Sequence, residues 1–274
     1  MQEWLGENRR QYETFLRVVN FLMQEGFDPV PTDPLRNQEY RMDHTRAMVD
    51  LLGSFPELDM SPPLKLFATG ALFHPRRSVW TEAIDVEIIG KDSEIDDDQL
   101  IAVLEDLVRQ MAPDLIDDEL TMVYGQVDWL KQSLWAMGCG NSDYPHILGL
   151  LQQGNLQAAE AKILATPGAD VRLLRPKAAA QFFSILNMYL PTVVHKEPRA
   201  NWTVLWDLSL VGNWSYYSGL VFTLYHNRSG QVLANGGRFD IKTPTKVFTG
   251  AGFTIYLDVW QDALAIRRGS RDVS

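Results

Sequence analysis

Apolar residues follow a helical spacing at the beginning of this chain. Between residues 9 and 25 they recur every three or four positions, and Gly26 follows as a stop signal, so the pattern predicts an amphipathic helix. The next segment, residues 27–35, contains three prolines, which remove amide donors and disfavour helix. We expect an extended chain there. The apolar positions of the helix are Phe15, Leu16, Val18, Val19 and Leu22.

Four later segments alternate between apolar and polar residues with a period of two, the spacing of a strand with one buried face. In residues 83–90, Ile84, Val86 and Ile88 share one face. Glu87 should therefore point away from this aliphatic face. The other alternating sets are Val204, Trp206, Leu208 and Leu210; Leu220, Phe222 and Leu224; and Phe253, Ile255, Leu257 and Val259.

The middle of the chain, residues 96–190, has mostly helical patterns. Acidic residues at 96–98 favour a helix start, and Pro176 suits the first turn before an apolar helical segment at 182–190. Strand-rich ends therefore flank a helical middle.

This organisation predicts an α+β protein in which an antiparallel sheet is flanked by helices. Residues 1–92 and 201–274 form the sheet domain, and one of its hairpins turns at residues 226–230. Residues 93–200 form a mainly helical insertion, with 191–200 as the return linker.

Composition narrows the classes of partner. The 274 residues are 46% hydrophobic, which is enough for a full core, and the net charge is -10. An acidic chain with a pI near 5.0 is a poor binder of phosphate backbones, so we expect no nucleic-acid partner. Cys139 is the only cysteine, and the N-terminal segment lacks a long apolar run. We expect a cytoplasmic protein with no internal disulfide and no membrane segment.

Common cofactor and metal motifs do not occur. No glycine-rich loop is followed by Lys-Ser or Lys-Thr, and no Gly-x-Ser-x-Gly element is present. The five histidines are scattered without a ligand spacing, so we predict no metal site and no cofactor. Cys139 lies between two glycines and is expected to be a packed thiol rather than a nucleophile.

Glycine-containing strand segments in the second half resemble a known enzyme family. Residues 216–222, 235–240 and 250–259 are similar to the histidine-recognition signatures and motif 3 of class II histidyl-tRNA synthetases. Residues 40–45 are similar to the family's Leu-Arg-Pro-Glu-Gly-Thr element, and residues 65–90 to its motif 2 hairpin. The resemblance implies a class II synthetase-like fold over most of the chain.

The departures from this family concern its arginines. The positions that match the motif 2 arginine, the arginine before the Tyr-Tyr pair and the motif 3 arginine are His74, Gly212 and Val259. In the family these arginines hold the ATP phosphates and the attacking carboxylate. Losing three charge-assisted contacts of roughly 1.5 to 3 kcal/mol each removes on the order of 4 to 9 kcal/mol, so we expect no adenylation. A loop shift that brings Arg76 or Arg77 into the first position remains an alternative.

The amino-acid pocket of the family is partly kept. Asp43 and Thr45 match the residues that hold the substrate's α-amino group, and Glu87 and Tyr217 match those that read its imidazole. The family has glutamine and tyrosine where this chain has Ala83 and Phe239. The alternatives are that Asp43 and Thr45 form an ordinary helix cap, that Glu87 is solvated and that Tyr217 packs in a core. The resemblance implies a histidine site, with no catalytic residue, formed by Asp43, Thr45, Glu87, Tyr217, Gly236, Gly237 and Phe239.

A synthetase-like domain without these arginines, and with no anticodon-binding domain after motif 3, resembles the regulatory subunits of ATP phosphoribosyltransferase. The resemblance implies a non-catalytic protein of histidine biosynthesis that supports the short catalytic subunit and conveys inhibition by free histidine. It also implies a homodimer within a hetero-oligomer. Two alternatives stay open: an adenylate-forming enzyme that charges something other than tRNA, and a scaffolding module that binds no histidine.

Overall fold

The structure of the protein is a computed structural model. It describes residues 2–32, 35–36, 39–40, 43–55, 57–74, 79–91, 95, 97–112, 119–136, 138–165, 202–207, 210–212 and 215–271.

An eight-stranded sheet organises the fold. Its spatial order is β1-β4-β5-β10-β9-β8-β6-β7. The six central strands pair antiparallel, while the two edge strands pair parallel to their neighbours. A short β2–β3 pair lies apart from this sheet. The strands are β1 (Asp28–Pro29), β2 (Leu35–Arg36), β3 (Glu39–Tyr40), β4 (Leu64–His74), β5 (Val79–Gly90), β6 (Leu120–Gln126), β7 (Thr203–Trp206), β8 (Tyr217–His226), β9 (Val232–Lys242) and β10 (Val247–Tyr256).

Three helices cover one face of the sheet. They are α1 (Gln2–Gln24), α3 (Asp97–Met111) and α7 (Leu257–Arg271). Their apolar stripes enter one large core together with inward side chains of the central strands. Ile84, Val86 and Ile88 of β5 belong to this core, as their alternation predicts.

The opposite face carries helix α2 (Thr45–Gly53). Met48 and Val49 of this helix are fully buried in a second, smaller core with Phe239 and Phe248 of the sheet. Because α2 lies over this face, polar strand residues that would otherwise meet solvent are covered. This covered face holds the candidate site.

Helices α4 (Val127–Ala136), α5 (Tyr144–Gln152) and α6 (Leu156–Leu164) have a third cluster of their own. Cys139 is buried in this cluster, in the packed position expected for it. These helices match the mainly helical character predicted for residues 93–200. The division into a core domain and an insertion stays a prediction, and residues 166–200, with the predicted second helix and the linker, lie outside the described residues.

The mainly helical middle of the chain contains one strand that the sequence did not predict. Residues 120–126 form strand β6, which pairs antiparallel with β8 and parallel with β7. A seven-residue segment between two helices has too little local signal to reveal a strand, and its pairing with β8 decides its conformation. Helix α3 likewise packs on the main core, although it lies within the predicted insertion.

Two predicted strands end earlier than their alternation suggests. β10 ends at Tyr256, so Leu257 and Val259 lie in the first turn of α7. β7 ends at Trp206, and Leu210 instead packs its carbonyl group against Gly125 of β6. The apolar residues that follow each strand continue its alternating pattern, although the backbone there is no longer a strand. Such residues are needed for packing in either conformation, so the pattern alone does not show where the strand ends.

The hairpins agree with the sequence. β4 and β5 pair antiparallel along residues 64–74 and 79–90, as a motif 2 strand-loop-strand requires. β8 ends at His226 and β9 begins at Val232, so the predicted turn at 226–230 joins them. The prediction of an α+β fold built on antiparallel strands is confirmed, with parallel pairing only at the two edges.

Candidate functional site

Cross-strand registers place the candidate residues in neighbouring rows on the α2 side of the sheet. Strand residues with the same parity share a face, and directly opposed residues lie side by side. Three neighbouring rows cross the same five strands, β4, β5, β10, β9 and β8. The central row contains Leu66, Glu87, Gly252, Gly237 and Val221. The row on one side contains Ala68, Asp85, Thr254, Asn235 and Thr223, and the row on the other side contains Leu64, Ile89, Gly250, Phe239 and Tyr217.

Glu87 is the central carboxylate of this face. It is only 2% exposed, and its Oε1 accepts a 2.6 Å hydrogen bond from the Thr45 hydroxyl at the start of α2. Its Oε2 has no hydrogen-bond partner among the described residues. This oxygen lies over Gly252, where a Cβ would collide with it. The glycine therefore makes the room in which the carboxylate rests.

Burial is the main electrostatic influence on Glu87. Loss of solvent raises the pKa of its carboxyl group well above the usual value. The hydrogen bond from Thr45 opposes this shift, while the nearby charges of Asp85 and Asp43 add to it. A ligand cation would compensate the buried negative charge.

Asp85 is a second buried acid that sequence reasoning did not assign to the site. It is fully buried, and burial raises its pKa to about 7, although hydrogen bonds from the Thr254 side chain and the His44 backbone lower it in part. Its Oδ2 accepts no hydrogen bond from the described residues and lies 3.9 Å from His44 Nε2. The available signal was the period of two, which puts Asp85 on the same strand face as Glu87.

Asp43 and Thr45, at the start of α2, make different hydrogen bonds. Asp43 Oδ1 accepts a 2.8 Å hydrogen bond from the backbone N–H of Arg46, which is what a helix-capping acid does. Thr45 is buried and turns its hydroxyl to Glu87. The capping interpretation therefore holds for Asp43, and the pocket interpretation gains a direct contact at Thr45.

His44, between these two residues, is also buried. Its Nδ1 lies 2.8 Å from the Thr32 hydroxyl, so this side chain is fixed beside the carboxylate of Asp85. The family element has glycine at this position. An imidazole of the protein itself thus occupies part of the face.

The aromatic side of the site is formed by Tyr216, Tyr217 and Phe239. The ring centroids of Tyr216 lie 5.3 Å from Tyr217 and 6.1 Å from Phe239. Burial and the nearby carboxylates, including Glu87, raise the pKa of both tyrosines well above the usual value, so both remain neutral phenols that can donate a hydrogen bond. Phe239 is 1% exposed and its ring lies over Gly250.

The two glycines of β9 have different surroundings. Gly237 lies in the row of Glu87, with its backbone against the carbonyl group of Leu220. Gly236 faces the opposite side, where a Cβ would meet Phe253 and Phe222 of the main core. Of the seven residues predicted for the pocket, Gly236 therefore contributes close strand packing rather than a surface on the α2 side.

The three residues that match the family's arginines, Gly212, Val259 and His74, lie in different surroundings. At Gly212, with a φ of +72°, a Cβ would collide with the ring of Tyr217. Val259 packs, half-buried, against the main core from the first turn of α7. His74 ends β4, and Arg76 and Arg77 lie outside the described residues, so the loop-shift alternative stays open.

Arg238 is the cation nearest in sequence to the glycine pair, and it is engaged elsewhere. Its guanidinium pairs with Asp97 at 3.0 Å and donates to the Ile95 carbonyl at 2.9 Å. Arg238 alternates with Gly237 and Phe239 along β9, so it leaves the sheet on the main-core side. It anchors the start of α3 rather than a ligand.

No helix among the described residues is long and apolar enough to cross a membrane. Within the same residues, no group of three or more His, Cys, Asp or Glu side chains is arranged to hold a metal ion.

Comparisons with known proteins agree with this fold. A family model described as histidyl-tRNA synthetase matches residues 168–260. An ATP phosphoribosyltransferase regulatory subunit/histidyl-tRNA synthetase from Bacillus halodurans superimposes with a TM-score of 0.70 at 19% identity, covering 94% of this chain and 79% of that one. A chain of the ATP phosphoribosyltransferase (HisG:HisZ) complex from Thermotoga maritima superimposes with a TM-score of 0.58 at 14% identity, covering 90% of this chain and 97% of that one.

These likenesses define the class: the chain has the class II synthetase fold in its histidyl-tRNA synthetase form. Within that class, its sequence is similar to regulatory subunits of ATP phosphoribosyltransferase, which confirms the resemblance. The subunit from Gloeobacter violaceus is 25% identical over 199 residues, which are 65% of this chain and 48% of that protein. The chain spans about half the length of the curated relatives that match most of it.

Proposed function

We propose that this protein is a non-catalytic regulatory subunit of ATP phosphoribosyltransferase. It binds the short catalytic subunit in the cytoplasm, supports its activity and conveys feedback inhibition by free histidine. The names of the curated relatives support this role, as does the fold shared with a chain of a solved complex of that enzyme. The assembly is a homodimer within a hetero-oligomer.

One observation carries the non-catalytic part of the proposal. Gly212 stands at the position of one of the three family arginines that hold the ATP phosphates and the attacking carboxylate, and the ring of Tyr217 fills the adjoining space. A guanidinium cannot be restored there without moving the tyrosine. Since transition-state charge in phosphoryl and acyl transfer needs fixed cationic donors, the site lacks a required part of adenylation chemistry.

The histidine site of this proposal uses the predicted residues on the α2 side of the sheet. Thr45 orients the carboxylate of Glu87, which accepts an N–H of the ligand imidazole or ammonium, and Tyr217 closes the site as a neutral phenol. Asp43 adds negative charge at the entrance of α2, while Gly237 and Phe239 shape the floor. A buried glutamate acceptor discriminates against apolar side chains because its oxygen would stay unpaired beside them.

The decisive experiment mixes the purified chain with the short catalytic subunit of the same organism. We expect the two to co-purify, phosphoribosyl transfer to rise on assembly, and histidine to inhibit the assembled enzyme more strongly than the catalytic subunit alone. Failure to co-purify, with no change in rate, would remove the proposal.

Two further measurements separate the alternatives. Histidine-stimulated exchange between ATP and pyrophosphate by the chain alone would favour an adenylate-forming enzyme. Assembly without any thermal shift or inhibition by histidine would favour a scaffolding module.

A further inference from the structure

Two buried carboxylates on one strand face remain incompletely paired. Asp85 and Glu87 are separated by one residue on β5, and their side chains lie in adjacent rows under α2. Each uses one oxygen in a hydrogen bond from a threonine, Thr254 and Thr45 respectively. The second oxygen of each has no hydrogen-bond partner among the described residues. A buried polar atom without a partner requires an explanation, and a bound ligand or ion is one such explanation.

Two arginines of the elements around the site bond to other partners. Arg46 of α2 bonds to Asp50. Arg238 of β9 bonds to Asp97 on the opposite side of the sheet. In the part of the chain that the structure describes, no lysine or arginine forms an ion pair with Asp85 or Glu87. Among the basic residues whose placement the structure describes, His44 approaches Asp85 to 3.9 Å.

A partner for a ligand carboxylate is also missing from the described site. Position 212, which matches one of the three arginines of the synthetase family, is a glycine covered by the ring of Tyr217. A ligand carboxylate at this face would lie close to two buried acids without a compensating cation, which is unfavourable in a poorly solvated site.

We infer that Asp85 and Glu87 together bind one cationic nitrogen, and that this site selects its ligand by the ammonium group rather than by the carboxylate. The inference rests on the proposed function in taking the ligand to be histidine-like. A nitrogen cation fits better than a metal ion, since the described side chains offer no ligand triad. Asp85 determines this specificity, because its negative charge attracts a ligand ammonium group and repels a ligand carboxylate.

Four small molecules that share an imidazole ring should differ in their affinity for this site. Histamine and L-histidinol carry the ammonium group without a carboxylate, L-histidine carries both, and imidazolepropionate carries only the carboxylate. We expect the two amines to bind at least as tightly as histidine. Imidazolepropionate should bind at least about a hundredfold more weakly than histidine, because it loses a charge-assisted contact and adds repulsion.

Isothermal titration calorimetry of the full chain at pH 8, where the ligand amines remain largely charged, tests this order. The variant Asp85→Asn keeps the shape and one acceptor but removes the charge, and should weaken binding of both amines about tenfold or more. The matched control is Asp240→Asn, since Asp240 is exposed and accepts a hydrogen bond from Thr249 in the same cross-strand manner. It should change the affinities less than twofold.

Several outcomes would overturn the inference: imidazolepropionate binding as tightly as histidine, histidine binding more than tenfold tighter than histidinol, or unchanged affinities in Asp85→Asn. Glu87→Gln provides a second variant should Asp85→Asn fail to give folded protein, and unchanged affinities in it would be equally damaging. Absence of binding by all four molecules would sink both this inference and the histidine site. Assembly with the catalytic subunit is measured separately, so intact ligand binding without assembly would sink the proposed function alone.

Discussion

The ring of Tyr217 lies where the side chain of any residue other than glycine at position 212 would begin. Gly212 has a φ of +72°, in the left-handed region that favours glycine, and its missing side chain leaves the space that the tyrosine ring occupies. The glycine at position 212 and the position of the Tyr217 ring therefore depend on each other. An arginine at position 212 would require the ring to move.

Gly212→Ala should destabilise the protein through both the backbone and the ring contact. The positive φ costs roughly 1 kcal/mol for a residue with a Cβ, and displacement of a buried ring adds about 1 to 3 kcal/mol. Urea denaturation of the purified chain measures the sum.

Gly154→Ala is the matched control for Gly212→Ala. Gly154 has a φ of +71°, nearly the same, but a Cβ there would meet nothing within 4 Å. It should show the backbone cost alone. Equal losses of stability in the two variants would mean that Tyr217 does not press on position 212.

The sequence predicted which face of strand β5 holds Glu87, but it did not predict that helix α2 covers this face. The period of two along residues 83–90 put Glu87 opposite the aliphatic core, and the structure confirms this orientation. The burial of Glu87 depends on α2 lying across the sheet, a contact between residues about forty positions apart. Local patterns contain no information on such a contact.

Similar limits explain the missed elements. β6 is a strand because β8 pairs with it, although its seven residues stand between helices. The end of β10 at Tyr256 is set by α7 packing on the core, since apolar alternation continues through Leu257 and Val259. Asp85 shared a predicted face with Glu87, but only the three-dimensional structure shows that both acids are buried together.

The buried state of Asp85 should make stability fall as pH rises. Its pKa is about 7 in the folded chain and 3.8 in an unperturbed carboxyl, so between these values the folded state holds more protons than the unfolded state. The free energy of unfolding then decreases from about pH 4 to about pH 7, by about 4 kcal/mol at most from this group. Glu87, whose pKa is also raised, contributes with the same sign.

Asp85→Asn isolates this contribution from the rest of the protein. The groups that face Asp85 are Thr254 from β10, Glu87 from its own strand, and the His44 backbone and ring from the α2 side; all remain in the variant. Urea denaturation at several pH values should show the variant gaining stability relative to the original chain as pH rises through this window. Parallel curves for the two proteins would contradict the assignment.

Gly252→Ala should disable the proposed histidine site by displacing the Glu87 carboxylate. A Cβ at position 252 collides with the Glu87 carboxylate and with the backbone carbonyl group of Val86, so the carboxylate has to leave its position beside Thr45. We expect histidine affinity to fall by about 1 to 3 kcal/mol, the usual cost of losing a buried hydrogen bond to a charged group. Calorimetric titration with histidine measures this effect.

Gly149→Ala provides the reference for that substitution. Gly149 lies in α5, and a Cβ there meets nothing within 4 Å. Alanine favours the helix, so this variant should keep histidine affinity and be as stable as the original chain or slightly more stable. Undiminished histidine binding in Gly252→Ala would place the ligand away from Glu87.

If the protein has the proposed function, Glu87→Ala should separate control by histidine from assembly. Removing this carboxylate takes away the acceptor held by Thr45, so histidine inhibition of the assembled phosphoribosyltransferase should weaken by about 1 to 3 kcal/mol. The side chain is buried and cannot contact the catalytic subunit directly, so co-purification should be unaffected. Glu82→Ala removes an exposed acid from the same strand and should leave both inhibition and assembly as they were. Inhibition that survives Glu87→Ala at full strength would move the effector site to another surface, such as the interface between subunits.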